Sequence, residues 1–329
     1  MRICVFGAGA VGGHLAAKLA AAGREVSVLA RGAQLAAIRE KGLRLLHGDE
    51  KISGKVKASD RSIELGTQDL VLVTMKANAL PAAAQALGPL LGPDTPVVFA
   101  QNGIPWWYGI GLASSKRKPP DLSRLDPGGA LRKAVSEERI LGGVIYSAND
   151  LVEPGVVLNH TPGDNMLVVG EADDSDSERV RRLRSVLEAC GMSSPPPEDI
   201  RTAMWNKAVR IIGNSSVCLL ADAALDAVRG DAALKELLAR ALEEGRAIAA
   251  AYGFDSERAP RRPSGGHASG SISHKPSLVQ DYDAGKPMEV ESQFLAPMAF
   301  AREAGVPTPT LDVLTRLAAF KAAAKRLYP

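Results

Sequence analysis

The chain has 329 residues, long for one hydrophobic core and comfortable for two domains. A net charge of +3, 4% aromatic residues and no long basic run give nucleic-acid binding no compositional support, and no apolar stretch reaches the about 20 residues that span a bilayer. Cys4, Cys190 and Cys218 are far apart and outside any CxxC or CxxH cluster, so they read as buried reduced thiols, with no metal implied and the cytoplasm as the expected compartment.

Residues 2–6 form a short apolar run suited to a buried parallel strand, and they lead directly into Gly7-Ala8-Gly9-Ala10-Val11-Gly12, which fits GxGxxG. In such a turn the first glycine permits the tight bend, the second lets the backbone approach a pyrophosphate, and the third lets the following helix pack closely on the sheet. Val11, Leu15 and Leu19 give that helix one apolar face, Gly23 closes it, and residues 25–29 supply the next strand. A glycine turn alone also arises from packing. The strand, turn, helix and strand in this order predict a dinucleotide site, with the helix N-terminus facing the anion. Where an NAD site carries Asp or Glu after the second strand, this chain reads Ala30-Arg31-Gly32. A guanidinium there suits a 2′-phosphate, so NADP is the expected cofactor.

Strand-like residues 69–74, a helical stretch over 80–91 and strand-like residues 96–100 continue the alternation, which predicts a doubly wound, Rossmann-type α/β domain. Residues 113–130 read as a surface loop. Segments 142–146, 156–160 and 166–169, separated by Glu153-Pro154-Gly155 and Thr161-Pro162-Gly163-Asp164, read as closing strands of the first domain. After Ser193-Ser194-Pro195-Pro196-Pro197 the pattern becomes helical. The expected organisation is a nucleotide-binding domain over 1–196 and an all-α domain over 197–329. Asp231 is placed to cap a helix whose Leu234, Leu237, Leu238, Ala241 and Leu242 share a face, and Gly253 to end it. Residues 254–276 are of low complexity, a loop or a lid, and Pro297 predicts a kink within 289–304.

Three separated segments together resemble the ketopantoate reductase (2-dehydropantoate 2-reductase) family, over nearly the whole length: the glycine turn with Arg31; Val73-Thr74-Met75-Lys76 with Gln101-Asn102-Gly103; and Trp205-Asn206-Lys207, followed by Ser277-Leu278-Val279-Gln280-Asp281 and Glu289. The resemblance implies that Lys207 donates the proton to the substrate carbonyl oxygen, because hydride addition to a keto carbon leaves an alkoxide that a cation stabilises and protonates. It implies further that Glu289 acts near the substrate hydroxyl and the cofactor, and that Ser277 binds the substrate carboxylate. Asn102 would contact nicotinamide ribose and substrate, Lys76 the cofactor, and Ala148 the cofactor through its backbone. Taken alone, Asn102-Gly103 would be a turn, Lys76 a strand-end charge and Ser277 a helix N-cap.

The chain departs from the family where relatives carry asparagines four and eight residues after the lysine. It has Ile211 and Ser215 there, with Asn214 displaced by one, and one residue turns a helical side chain by about 100°, so an offset or irregular helix would be needed for Asn214 to serve the substrate pocket. Trp106-Trp107-Tyr108 would either shape a pocket for a larger or flatter 2-oxo acid or pack beneath the 113–130 loop. The expected activity is NADPH-dependent reduction of a 2-oxo carboxylate, 2-dehydropantoate first, as in pantothenate biosynthesis, in a cleft between the domains. The expected partner is that small molecule, without nucleic acid or membrane and with a homodimer as the assembly. A β-hydroxyacid dehydrogenase-type enzyme and a non-catalytic NADPH sensor are the alternatives, and the serine, glutamine and glutamate spacing favours the reductase over the former.

Overall fold

Short runs of Val, Leu and Ile, too brief for helices and buried on both faces, form the centre of the first unit of this computed structural model, which describes residues 1–113, 116–258 and 275–328. That unit comprises Met1–Gln101 and Gly128–Ile200. Its main sheet contains β1 (Arg2–Phe6), β2 (Glu25–Leu29), β5 (Lys57–Ser59), β6 (Leu70–Val73), β7 (Val97–Phe99), β8 (Ile140–Tyr146) and β11 (Met166–Glu171), in the order β11-β8-β7-β6-β1-β2-β5. Every pairing is parallel except β11 with β8. The chain winds outward from β1 to β2 and β5, then crosses to β6 on the other side of β1. The order therefore reverses between β1 and β6, and ligands of doubly wound sheets bind beyond the strand ends at that point.

A second sheet departs from expectation. β3 (Leu43–His47), β4 (Glu50–Gly54), β9 (Asn149–Glu153) and β10 (Val156–Asn159) pair in the order β4-β3-β10-β9, so the segment at 156–160 does not close the main sheet but lies parallel to β3. Leu43, Leu45 and Val157 join Ile3, Val5 and Leu15 in one core. This second layer explains why α1 (Ala10–Ala21) is buried continuously from Gly12 to Leu19, and not along one stripe. Helices α2 (Gly32–Lys41), α3 (Ser62–Leu65), α4 (Leu80–Ala83), α5 (Ala130–Ala134) and α6 (Glu178–Ala189) complete the unit. The helix expected over 80–91 is only α4 followed by a 3₁₀ stretch, Ala84–Leu90, that contains Pro89.

The second unit takes the described residues of 102–127 together with those from Arg201 onward. Its described elements are helical: α7 (Ile200–Ala221), α8 (Leu225–Gly230), α9 (Ala232–Ala251), α10 (Ser277–Asp283), α11 (Ala296–Ala304) and α12 (Pro309–Ala324), with a π turn over Glu291–Leu295. The division thus falls at Ile200 and not at 196, and residues 102–127, expected in the first domain, group with the second. The cause is a buried cation. Arg201 is fully buried and donates from Nε and Nη2 to the Tyr108 carbonyl at 2.9 and 2.8 Å, while Trp205 Nε1 donates to the Tyr108 hydroxyl at 2.9 Å. Tyr108 stands edge-on to Trp205, Phe254 and Phe300. Trp106, Trp107 and Tyr108 are therefore core residues that tie 102–110 to α7.

Asp231 caps α9 by accepting from the Leu234 amide at 2.9 Å, and Gly253 ends the helix at φ +78°. The stretch expected to be a surface loop over 113–130 contains a 3₁₀ turn, Ser123–Leu125, and the start of α5. The low-complexity stretch at 254–276 lies, from 259 to 274, outside the described residues. All three cysteines are buried and free. No described helix is long and apolar enough to cross a membrane.

The glycine turn yields a stability contrast. A Cβ on Gly12 would stand 1.9 Å from the Gly7 carbonyl oxygen, whereas one on Gly9 meets nothing within 4 Å. Gly12→Ala is expected to lose about 1–3 kcal/mol in urea unfolding, and Gly9→Ala less than about 1 kcal/mol. Equal losses would contradict this account of the turn.

Candidate active site

In the first unit, β1 runs into Gly7, whose φ of +111° is open to glycine and whose absent Cβ leaves room for Met75 Cγ, 2.6 Å from where that carbon would be. Thr74 Oγ1 donates to the Gly7 carbonyl at 2.7 Å, and Gln34 Nε2 donates to the Ala8 carbonyl at 2.7 Å, so the turn is held from two sides. Gln101 Nε2 donates to the Val73 carbonyl at 2.7 Å and fixes the end of β6. Gly9, extended at φ −73° and ψ −164°, precedes the first helical residue Ala10 and has open space where a side chain would project. The amides of Ala10, Val11 and Gly12 are the first of α1, and with Gly9 they are the groups that could hold a pyrophosphate.

Arg31 lies two residues beyond Leu29, the register partner of Phe6, and caps the start of α2 with its backbone. Its side chain is exposed and makes no hydrogen bond or ion pair among the described residues. Lys76 is half-buried after β6, one residue beyond the Met75 that abuts Gly7. Ala148 differs. Its amide donates to Thr161 Oγ1 at 3.3 Å, and its carbonyl accepts from the His160 amide at 2.9 Å, so its polar backbone groups are engaged internally. The neighbouring Ser147 hydroxyl is buried without a partner and answers better to a ligand contact.

In the second unit, α7 is regular throughout, and most of it is buried. Between Arg201 and Leu219 the openings lie on one face: Lys207, Ile211 and Asn214 are half-buried, and Arg210 is exposed. Seven residues make about two turns and bring a side chain back to within roughly 20°. Asn214 therefore shares the face of Lys207 without any irregularity, while Ser215, at the position of the family's second asparagine, is buried on another face. The Asn214 Oδ1 atom is buried and without a partner.

Burial pushes the Lys207 amine down from its ordinary 10.5 to about 7, against the opposing pull of the Glu289 charge. Glu289 is buried, and its Oε2 accepts from Gln293 Nε2 at 3.1 Å. Gly103, at φ +83°, lies so close to the π turn that a Cβ would stand 2.4 Å from the Ser292 carbonyl oxygen, and the Ile104 amide donates to that oxygen at 2.8 Å. Asn102 immediately precedes this contact, and its Oδ1 is also buried without a partner. Lys207 under the charge of Glu289 is thus an acid of near-neutral affinity, and Asn214 and Asn102 each carry an unfilled acceptor. Ser277 is less integrated. It is the exposed first residue of α10, Pro276 occupies the cap position, and no described hydrogen bond ties the serine to Lys207, Asn214 or Glu289.

Gln34, Ser147 and Gln293 were not singled out from the sequence. Only Gln293 had a local signature, its spacing of four from Glu289 on a helical segment.

The profile of the ketopantoate reductase PanE/ApbA family matches residues 3–109, and that of its C-terminal part matches residues 199–322. The chain is 37% identical over 322 residues to the 2-dehydropantoate 2-reductase of Mesorhizobium japonicum, covering 96% of each chain. Among solved structures it is similar to 2-dehydropantoate 2-reductase from Geobacter metallireducens, with TM-score 0.79, 26% identity and coverage of 96% and 98%. In fold alone it is similar to D-mandelate dehydrogenase solved with NADH and anilino(oxo)acetate, with TM-score 0.81, 21% identity and 99% of each chain covered.

The depressed affinity of Lys207 for its proton has a stability signature. In the unfolded chain the amine holds its proton to about pH 10.4, whereas in the folded chain it releases it near 7, so folding is penalised below pH 7 and the penalty fades between 7 and 10.5. Lys207→Met is expected to be more stable than the wild type at pH 6, with the gap narrowing as pH rises to 10. A gap independent of pH in denaturant titrations would contradict a desolvated amine.

Proposed function

Since the chain belongs to the ketopantoate reductase PanE/ApbA family and is an oxidoreductase, we propose that it uses NADPH to reduce 2-dehydropantoate to pantoate, a step of pantothenate biosynthesis in the cytoplasm. The observation that carries this reading is Lys207, whose amine is desolvated and brought to about 7 against the charge of the buried Glu289, in a chain that matches named 2-dehydropantoate 2-reductases along almost its full length. The reaction needs a hydride at a keto carbon and a proton at its oxygen. The nicotinamide coenzyme supplies the hydride when bound.

This chain's residues do the remainder. Lys207 holds a proton on Nζ that the substrate oxygen takes up as charge develops there. An acid with affinity near neutrality is well matched, because it is substantially protonated in the cell yet releases its proton readily. Glu289 keeps the ammonium form populated in a setting that would otherwise discharge it. The Oδ1 atoms of Asn102 and Asn214 are acceptors lacking a donor, which suits hydroxyl groups of a hydroxylated 2-oxo acid or of a ribose. Ser277, first in α10 and exposed, is the hydroxyl available for a carboxylate.

For the coenzyme, Gly7, Ala8, Gly9, Ala10, Val11 and Gly12 would receive the pyrophosphate, with Lys76 adding positive charge. NADPH is preferred over NADH because Arg31 stands, unengaged, where an acidic residue would read a ribose hydroxyl. Two measurements test the reading. Lys207→Ala is expected to lower kcat by roughly 10²- to 10⁴-fold with NADPH binding retained; near-normal turnover would remove Lys207 as the acid. Arg31→Asp is expected to raise the Kd for NADPH far more than that for NADH, and equal losses would contradict a 2′-phosphate contact.

A further inference from the structure

The π turn over Glu291–Leu295 lies next to the acid pair, and its origin is chemical. Pro297 has no amide hydrogen, so a carbonyl that would have bonded to it loses its donor. In the observed register Ala296 N donates to the Glu291 carbonyl, five residues back, and the next carbonyl in that pattern, Ser292, would require the amide of Pro297. Ser292 instead accepts from Ile104 at 2.8 Å. The kink expected at Pro297 is thus an opened helical turn whose orphan carbonyl grips the segment after Asn102, at a spacing that only glycine at 103 allows.

The same turn carries Gln293, 2% exposed, whose amide nitrogen donates to Glu289 Oε2 at 3.1 Å. A buried amide in this position either finds a partner or carries the full cost of desolvation, and a carboxylate is among the strongest partners available. We propose that Gln293 is a positioning residue of the reaction: it holds the buried Glu289 carboxylate in place and ionised, and through it sets the acidity of Lys207. This inference rests on the reading of Lys207 as the acid. Among the described residues, the charge of Glu289 acts on Lys207; Glu291, on the π turn, is engaged with Arg124 at 3.1 Å and with the Tyr328 hydroxyl; Arg210, one turn along α7, is exposed.

The sign follows from the chemistry. Removing the donor weakens the charged form of Glu289, the ammonium of Lys207 loses support, and its proton is released at lower pH. Gln293→Met, unbranched and close in volume, is therefore expected to move the fall in kcat/KM with rising pH downward by about one pH unit and to lower kcat by about tenfold, with the KM for NADPH unchanged. Gln293→Glu, which can share a proton with Glu289, is expected to keep that fall at or above its wild-type position.

A second readout needs no substrate: the pH dependence of Lys207 methylation, followed by mass spectrometry in the full-length protein, should shift down in Gln293→Met by the same amount. If Gln293→Met loses activity while its kinetic limb and its Lys207 titration remain at wild-type positions, Gln293 is a packing residue and the proposal is overturned. If the Lys207 titration shifts but Lys207→Ala still turns over normally, the positioning of Glu289 stands and the assignment of Lys207 as the acid falls.

Discussion

The taking of one lysine amine out of water, opposed by the charge of one buried carboxylate, is the balance on which the proposed chemistry depends. Burial alone would lower the proton affinity of Lys207 further, and full solvation would leave it too weak an acid. The opposition between burial and Glu289 brings it to about 7. The second unit carries both sides of that balance: α7 presents Lys207 on the face it shares with Asn214, and Gln293, four residues on from Glu289, donates to its carboxylate. Arg201 anchors the segment that carries Asn102 to the same helix.

The first unit meets a different constraint, that of bringing backbone amides close to a phosphate. Side chains would obstruct the approach, so the sequence places glycine at 7, 9 and 12, and each has its own reason in the structure: positive φ beside Met75, open space, and contact with the Gly7 carbonyl. Thr74 and Gln34 then fix a turn that glycine alone would leave loose. Preorganisation of this kind lowers the entropy lost on binding.

The glycine turn, β1, β2 and the location of Arg31 were legible because their determinants lie within about thirty consecutive residues of a standard βαβ unit. The second sheet was not, because β3 and β10 meet from opposite ends of the unit and their short mixed patterns acquire meaning only when paired. The grouping of 102–127 with the helical unit was hidden for a related reason: it depends on a fully buried arginine, and composition places arginines at the surface. Asn214 could have been placed on the face of Lys207 by helical arithmetic, since seven residues close two turns; the apparent displacement by one came from counting against the relatives' pattern. Gln293 had only its spacing of four from Glu289 to mark it, and that spacing gains meaning once both side chains are seen to be buried.

The most direct test is the pH dependence of NADPH oxidation by the purified protein on addition of 2-dehydropantoate. A reductase whose acid is Lys207 oxidises NADPH only when the substrate is present, with kcat/KM level below about pH 7 and falling tenfold per unit above it as the free enzyme's amine loses its proton. Oxidation that is absent, or that proceeds with the same kcat/KM from pH 5 to pH 9, would contradict the account.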